Sequence, residues 1–99
     1  MAVTCTTLEH VRSNIDRLDQ QIVTLLAERG NYVSQAARFK KDTDSVKAPQ
    51  RVEQVIAKVR DLSHTLGANP DVTEQVYRAM IAAFIQQELA EHAKLGEVS

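Results

Sequence analysis

Ninety-nine residues, 43% hydrophobic and 25% charged, with three glycines, two prolines and no tryptophan, describe one small, helix-rich domain. The formal charge of -1 is spread over interspersed acidic and basic side chains, so the basic stripe that nucleic acid or an anionic membrane requires is missing. Cys5 has no second cysteine to pair with, no apolar run approaches the ~18 residues of a membrane span and no charged-then-apolar leader opens the chain, so a cytoplasmic location is expected.

The first predicted element is long. One helical stripe runs through Leu8, Val11, Ile15, Leu18, Ile22, Leu25, Arg29, Tyr32, Ala36 and Phe39. No proline falls between Val11 and Lys41, and Thr6-Thr7-Leu8-Glu9 has the hydroxyl-x-x-Glu form of a capping box, so the helix is predicted from near Thr7 to about Lys40. It would be roughly 50 Å long at ~1.5 Å per residue. A compact chain of this size has a radius of gyration near ~13 Å, so the seam calls for a second long helix, which a second copy supplies most economically. Gly30 costs ~1 kcal/mol in a helix interior; either it permits close approach of another backbone or it carries no meaning.

Residues 41–47 are polar and without periodicity and read as a loop. Ala48-Pro49 then opens a short second helix with the apolar face Val52, Val55, Ile56, Val59 and Leu62, fading near His64. Gly67 suits a left-handed stop, Asn69 a cap and Pro70 the first turn of a third, medium helix carrying Val72, Val76, Tyr77, Met80, Ile81, Phe84, Ile85 and Leu89, which is predicted to end before Gly96. The prediction is an all-α chain of three helices, one long, one short and one medium, in a single domain.

Four charged residues, Arg29, Lys40, Arg51 and Glu88, stand where a purely structural sequence would not place them, and Arg12 joins them only through a partner chain. Arg29 occupies an apolar place in the first stripe, and a guanidinium facing a core costs several kcal/mol unless an anion meets it. Lys40 follows about three turns later and only ~20° around the helix, so the two cations share a face ~16 Å apart and suit a small dianion; the bland alternative is a solvated lysine at a helix C-terminus. Arg51 in the first turn of the second helix is mildly unfavourable unless an anion is held there with the exposed amides. Glu88 follows Tyr77, Ile81 and Phe84 inward and must pair with a cation or keep its proton, a buried salt bridge (with Arg29 as one candidate partner) being the structural alternative. Arg12 lies ~25 Å from Arg29 along the axis and about 100° around it, so an antiparallel partner helix crossing near Leu18 to Ile22 would bring its Arg12 beside Arg29.

His10, His64 and His92 lack metal-ligand spacing, no glycine-rich phosphate loop occurs and no base stands beside Cys5 or a serine in a recognisable motif. No metal, cofactor or covalent intermediate is expected.

The segments Val11-Arg12-Ser13-Asn14-Ile15-Asp16-Arg17-Leu18-Asp19, Leu25-Leu26-Ala27-Glu28-Arg29, Arg38-Phe39-Lys40 and Ala48-Pro49-Gln50-Arg51-Val52 together resemble the all-helical chorismate mutases, a family that includes the isochorismate-pyruvate lyases of salicylate formation. The resemblance covers about residues 8–93. It implies an intertwined six-helix homodimer with two sites, each taking one arginine from the partner. Arg12 of the partner subunit and Arg29 would grip the two carboxylates of a small dicarboxylate substrate, Lys40 would reach one carboxylate and the ether oxygen, and Arg51 would line the ring side. Glu88 would stand where the family often has a glutamine bonded to that oxygen, and would donate there only when protonated. Val52 occupies the place at which many mutases carry a glutamate for the ring hydroxyl.

The favoured expectation is therefore chorismate mutase, a [3,3] rearrangement to prephenate that needs conformational restraint and donors at the departing oxygen, not an acid, base or nucleophile. The alternative is an isochorismate-pyruvate lyase, to which the Ala-Pro-x-Arg-Val pattern is more similar; a mutase of 4-amino-4-deoxychorismate is a third member of this class. A different class, a non-catalytic helical dimerisation domain, accounts for the stripe but not for the joint placement of Lys40 and Arg51.

Overall fold

The computed structural model describes residues 2–98, with side chains through Lys94. Four helices follow one another: α1 Leu8–Ala37, α2 Thr43–Lys47, α3 Pro49–Leu66 and α4 Pro70–Val98. The chain forms two compact units, one up to Tyr32 and one from Val33 onward.

The first unit is the N-terminal segment and most of α1. The Thr7 hydroxyl accepts the His10 amide at 3.0 Å and caps the helix. The cap is thus Thr7 with His10, three residues on, and the Thr6-x-x-Glu9 spacing is not the one used. Asn14 donates to the His10 carbonyl at 3.0 Å and approaches Cys5 Sγ at 3.7 Å, which ties the N-terminal segment to the second turn. Along the predicted stripe, Leu8, Val11, Ile15, Leu18, Ile22 and Leu25 all remain accessible, from 39% for Val11 to 62% for Leu25. These residues form a continuous exposed apolar seam and are not singly scattered over the surface.

The second unit begins with the last turn of α1. Arg38, Phe39 and Lys40 donate to the carbonyls of Gln35, Ala36 and Ala37, each three residues back, at 3.2, 3.0 and 3.4 Å. These tighter turns end the α-helix at Ala37. The predicted boundary at Lys40 is corrected accordingly: Lys40 lies beyond the helix, and a spacing from Arg29 reckoned along one continuous helix does not apply to it. Residues 41–47, expected to be a plain loop, contain α2. Asp42 caps it by accepting the Ser45 amide at 2.8 Å, and its single apolar residue, Val46, is 2% exposed where α2 packs on α4. One valine in a polar heptapeptide has no periodicity to reveal it.

Ala48 joins α2 to α3 with φ 37° and ψ 62°, left-handed backbone at a residue that has a Cβ and precedes a proline. It is the C-cap of α2, its amide bonding Asp44 O, and the N-cap of α3. Pro49 is the first residue of α3, as predicted. Gly67 ends α3 at φ 77°, its amide and that of Ala68 both reaching the Ser63 carbonyl, and Asn69 Oδ1 accepts the Asp71 amide at 2.9 Å to start α4. Helices α3 and α4 pack as an antiparallel pair around Ile56, Val59 and Ile81, with Ser63 buried and its hydroxyl bonded to Val59 O. Val72 and Val76, placed on the core face by periodicity, are exposed, and α4 continues through Gly96 to Val98 instead of ending before it.

Ion pairs stitch the outer side of this hairpin. Arg60 meets Glu74 at 2.8 Å and Asp71 at 3.1 Å, while Arg78 holds Glu53 through both terminal nitrogens at 2.9 and 3.0 Å and Glu74 through Nε at 2.8 Å. Those hydrogen bonds from Arg78 keep the carboxyls of Glu53 and Glu74 below the usual glutamate range.

Candidate functional site

Lys40 and Glu88, two of the predicted site residues, are in direct contact. The α4 face that buries Ile81 carries Glu88 inward two turns later, and its carboxylate meets Lys40 Nζ at 2.5 Å, with the Glu88 side chain 5% and the Lys40 side chain 27% exposed. The carboxylate therefore has a cation beside it in a nearly dry setting, while the ammonium retains a path to solvent. A lysine so placed can turn its charge toward an anionic or ether oxygen arriving from the open side.

His92, one turn beyond Glu88, holds the same lysine by its backbone. Its Nε2 lies 2.8 Å from Lys40 O, and because a carbonyl can only accept, Nε2 carries the proton. Nearby, Ser34 in the last turns of α1 donates to Glu91 at 2.9 Å, and Gln87 donates to the same carboxylate oxygen at 3.3 Å. Asp42 is held below the usual carboxylate range by the Ser45 amide and hydroxyl, with a smaller contribution from the charge of His92. Sequence spacing tested His92 only as a metal ligand and missed this role. The available signal was its position one helical turn after an inward-facing Glu88.

Arg51 is exposed in the first turn of α3, and Val52 beside it is half-buried with its amide bonded to Ala48 O at 3.1 Å. That helix start has no side-chain cap, so its first amides stay available to an anion. The left-handed Ala48 sits three residues before Arg51, and backbone strain of this kind is concentrated at ligand sites. In the first unit, Arg12 is exposed and Arg29 half-buried, both on α1. Among the described residues no group of three or more His, Cys, Asp or Glu side chains is arranged to hold a metal ion, and no helix is long and apolar enough to cross a membrane.

An all-α chain with an inward Lys-Glu pair and an arginine in the first turn of α3 belongs, by its sequence, to the family of chorismate mutase type II, which matches residues 11–89. Over 85 residues the chain is 31% identical to the isochorismate pyruvate lyase of Pseudomonas aeruginosa, a match covering 86% of this chain and 84% of that protein. The chain is thus that of an enzyme family acting in chorismate chemistry, with a small-molecule substrate.

Proposed function

We propose that this protein is an isochorismate-pyruvate lyase, converting isochorismate to salicylate and pyruvate. The observation that carries the reading is the relative of that activity, similar across most of both chains. The local sequence supports it: Ala48-Pro49-Gln50-Arg51-Val52 has the lyase-like pattern, and the apolar Val52 offers nothing to a ring hydroxyl. This order reverses the expectation from sequence alone, which put the mutase first.

The chemistry asks for few groups. The bond between the ring and the enolpyruvyl oxygen breaks, a ring hydrogen moves to the enolpyruvyl methylene, and the ring becomes aromatic; the two products contain every atom of the substrate. Negative charge grows on the departing oxygen, as it does in the mutase reaction, so one donor serves either path. Lys40 is assigned to that oxygen and to one carboxylate. Glu88 holds the ammonium before substrate arrives and stands beside the same oxygen. Arg29, with Arg12 of the partner subunit, grips the carboxylates in bidentate fashion, and Arg51 and Val52 line the ring. This assignment requires an intertwined homodimer, and the exposed α1 seam supports one.

Incubation with isochorismate and with chorismate separately, followed by product identification, tests the reading. Salicylate and pyruvate should form with the higher kcat/KM. Faster formation of prephenate from chorismate makes the mutase reading primary. If neither substrate turns over and a dicarboxylate transition-state mimic does not bind, the non-catalytic helical domain replaces both.

A further inference from the structure

We infer that His92 is a positioning residue that fixes the direction in which Lys40 delivers its ammonium. The inference rests on the assignment of Lys40 to the departing oxygen. Lys40 lies in the non-helical link between the end of α1 and the Asp42 cap of α2, and its own amide makes only a long 3.4 Å bond to Ala37 O. A four-carbon stem on such a link is free to sweep a wide arc. Two residues of α4, one helical turn apart, remove that freedom from opposite ends: His92 Nε2–H binds the Lys40 carbonyl at 2.8 Å, and Glu88 binds its Nζ. With the carbonyl anchored, the root of the side chain is fixed, and a carboxylate on the same rigid helix sets where its tip points. Glu88 alone holds only the tip, which a substrate carboxylate competes for. When substrate displaces that contact, the His92 bond is what keeps the link in register with α4.

The test uses three variants in the full chain, each checked for parent-like helical circular dichroism. His92→Phe keeps the ring volume without the donor, His92→Leu is a second donor-free side chain should the phenyl ring not be accommodated, and His92→Gln places an amide N–H near the position of Nε2. Amine acylation read by mass spectrometry, with exposed Lys47 as internal reference, reports on Lys40 without requiring turnover. Loss of one positional hydrogen bond predicts that Lys40 labelling rises by about threefold or more in the donor-free variants and stays near the parent in His92→Gln. In kinetics, His92→Phe should lower kcat/KM by roughly tenfold, His92→Gln should restore most of it, and the loss should vanish when Lys40→Met is already present. Unchanged labelling in the donor-free variants, or labelling in His92→Gln equal to theirs, overturns the inference, as does a kinetic loss that persists undiminished beside Lys40→Met. Full activity of Lys40→Met alone removes the assigned role of Lys40, and with it the inference that His92 serves that role; the labelling result then separates a lost role from a lost contact.

Discussion

Lys40 and Glu88 differ in exposure, and that difference sets what each substitution does to the fold. Lys40→Met leaves a carboxylate that is 5% exposed without its cation, whereas Glu88→Gln leaves an ammonium that is 27% exposed and can turn to water. Breaking a buried pair from the cation side is the costlier change, so urea denaturation should show Lys40→Met destabilised by about 2 kcal/mol and Glu88→Gln by about 1 kcal/mol or less, with the double variant recovering part of the first loss. Equal losses for the two single variants would contradict the geometry. Ala48 is a second case decided by one residue. Its left-handed backbone costs a residue with a Cβ about 1–2 kcal/mol, and glycine removes that strain while adding ~0.5–1 kcal/mol of unfolded-state entropy. Ala48→Gly should therefore raise stability by about 0.5 kcal/mol, read as a higher urea midpoint at unchanged slope; a lower midpoint would show that the strain is already offset by packing.

At the scale of the elements, the α3–α4 hairpin is held by an apolar interior and an exterior set of arginine-carboxylate contacts. Glu53 and Glu74 have lowered folded pKa values, chiefly from the Arg78 hydrogen bonds. The stabilisation they contribute is fully present above the ordinary glutamate pKa of ~4.3 and is lost as the pH falls through the lower folded values. Thermal melts should show Arg78→Met a few degrees below the parent at pH 7, and the gap should close as both proteins are taken toward pH 3. A gap of constant size would mean that the side chain acts through packing of its stem and not through its charge.

For the whole molecule, the accessible apolar seam of α1 supports an assembly in which folding and dimerisation are inseparable. Sedimentation should find no stable folded monomer at working concentrations. If the partner's Arg12 completes each site, Arg12→Ala and Arg29→Ala should each abolish turnover, while mixing the two variants should regenerate one intact site in the mixed dimer. Mixtures that exchange subunits and stay inactive would place both arginines elsewhere in the reaction.

Helix periodicity, the proline starts at Pro49 and Pro70, the Gly67 stop and the inward direction of Glu88 were all legible in the amino-acid sequence, because each follows from interactions reaching no more than about four residues along the chain. The arginines and Lys40 were legible as candidates for a related reason: a charge in an apolar stripe or at a helix start is a local anomaly. What tertiary structure decided was pairing. That Lys40 meets Glu88, that His92 reaches across 52 residues to the Lys40 carbonyl and that Val46 is buried against α4 depend on where two distant segments come to lie. The end of α1 at Ala37, before Lys40, belongs with them. A helix that keeps its apolar pattern to Phe39 gives no internal reason to stop, and the physical reason lies in α2 and α4, which bind the link that follows.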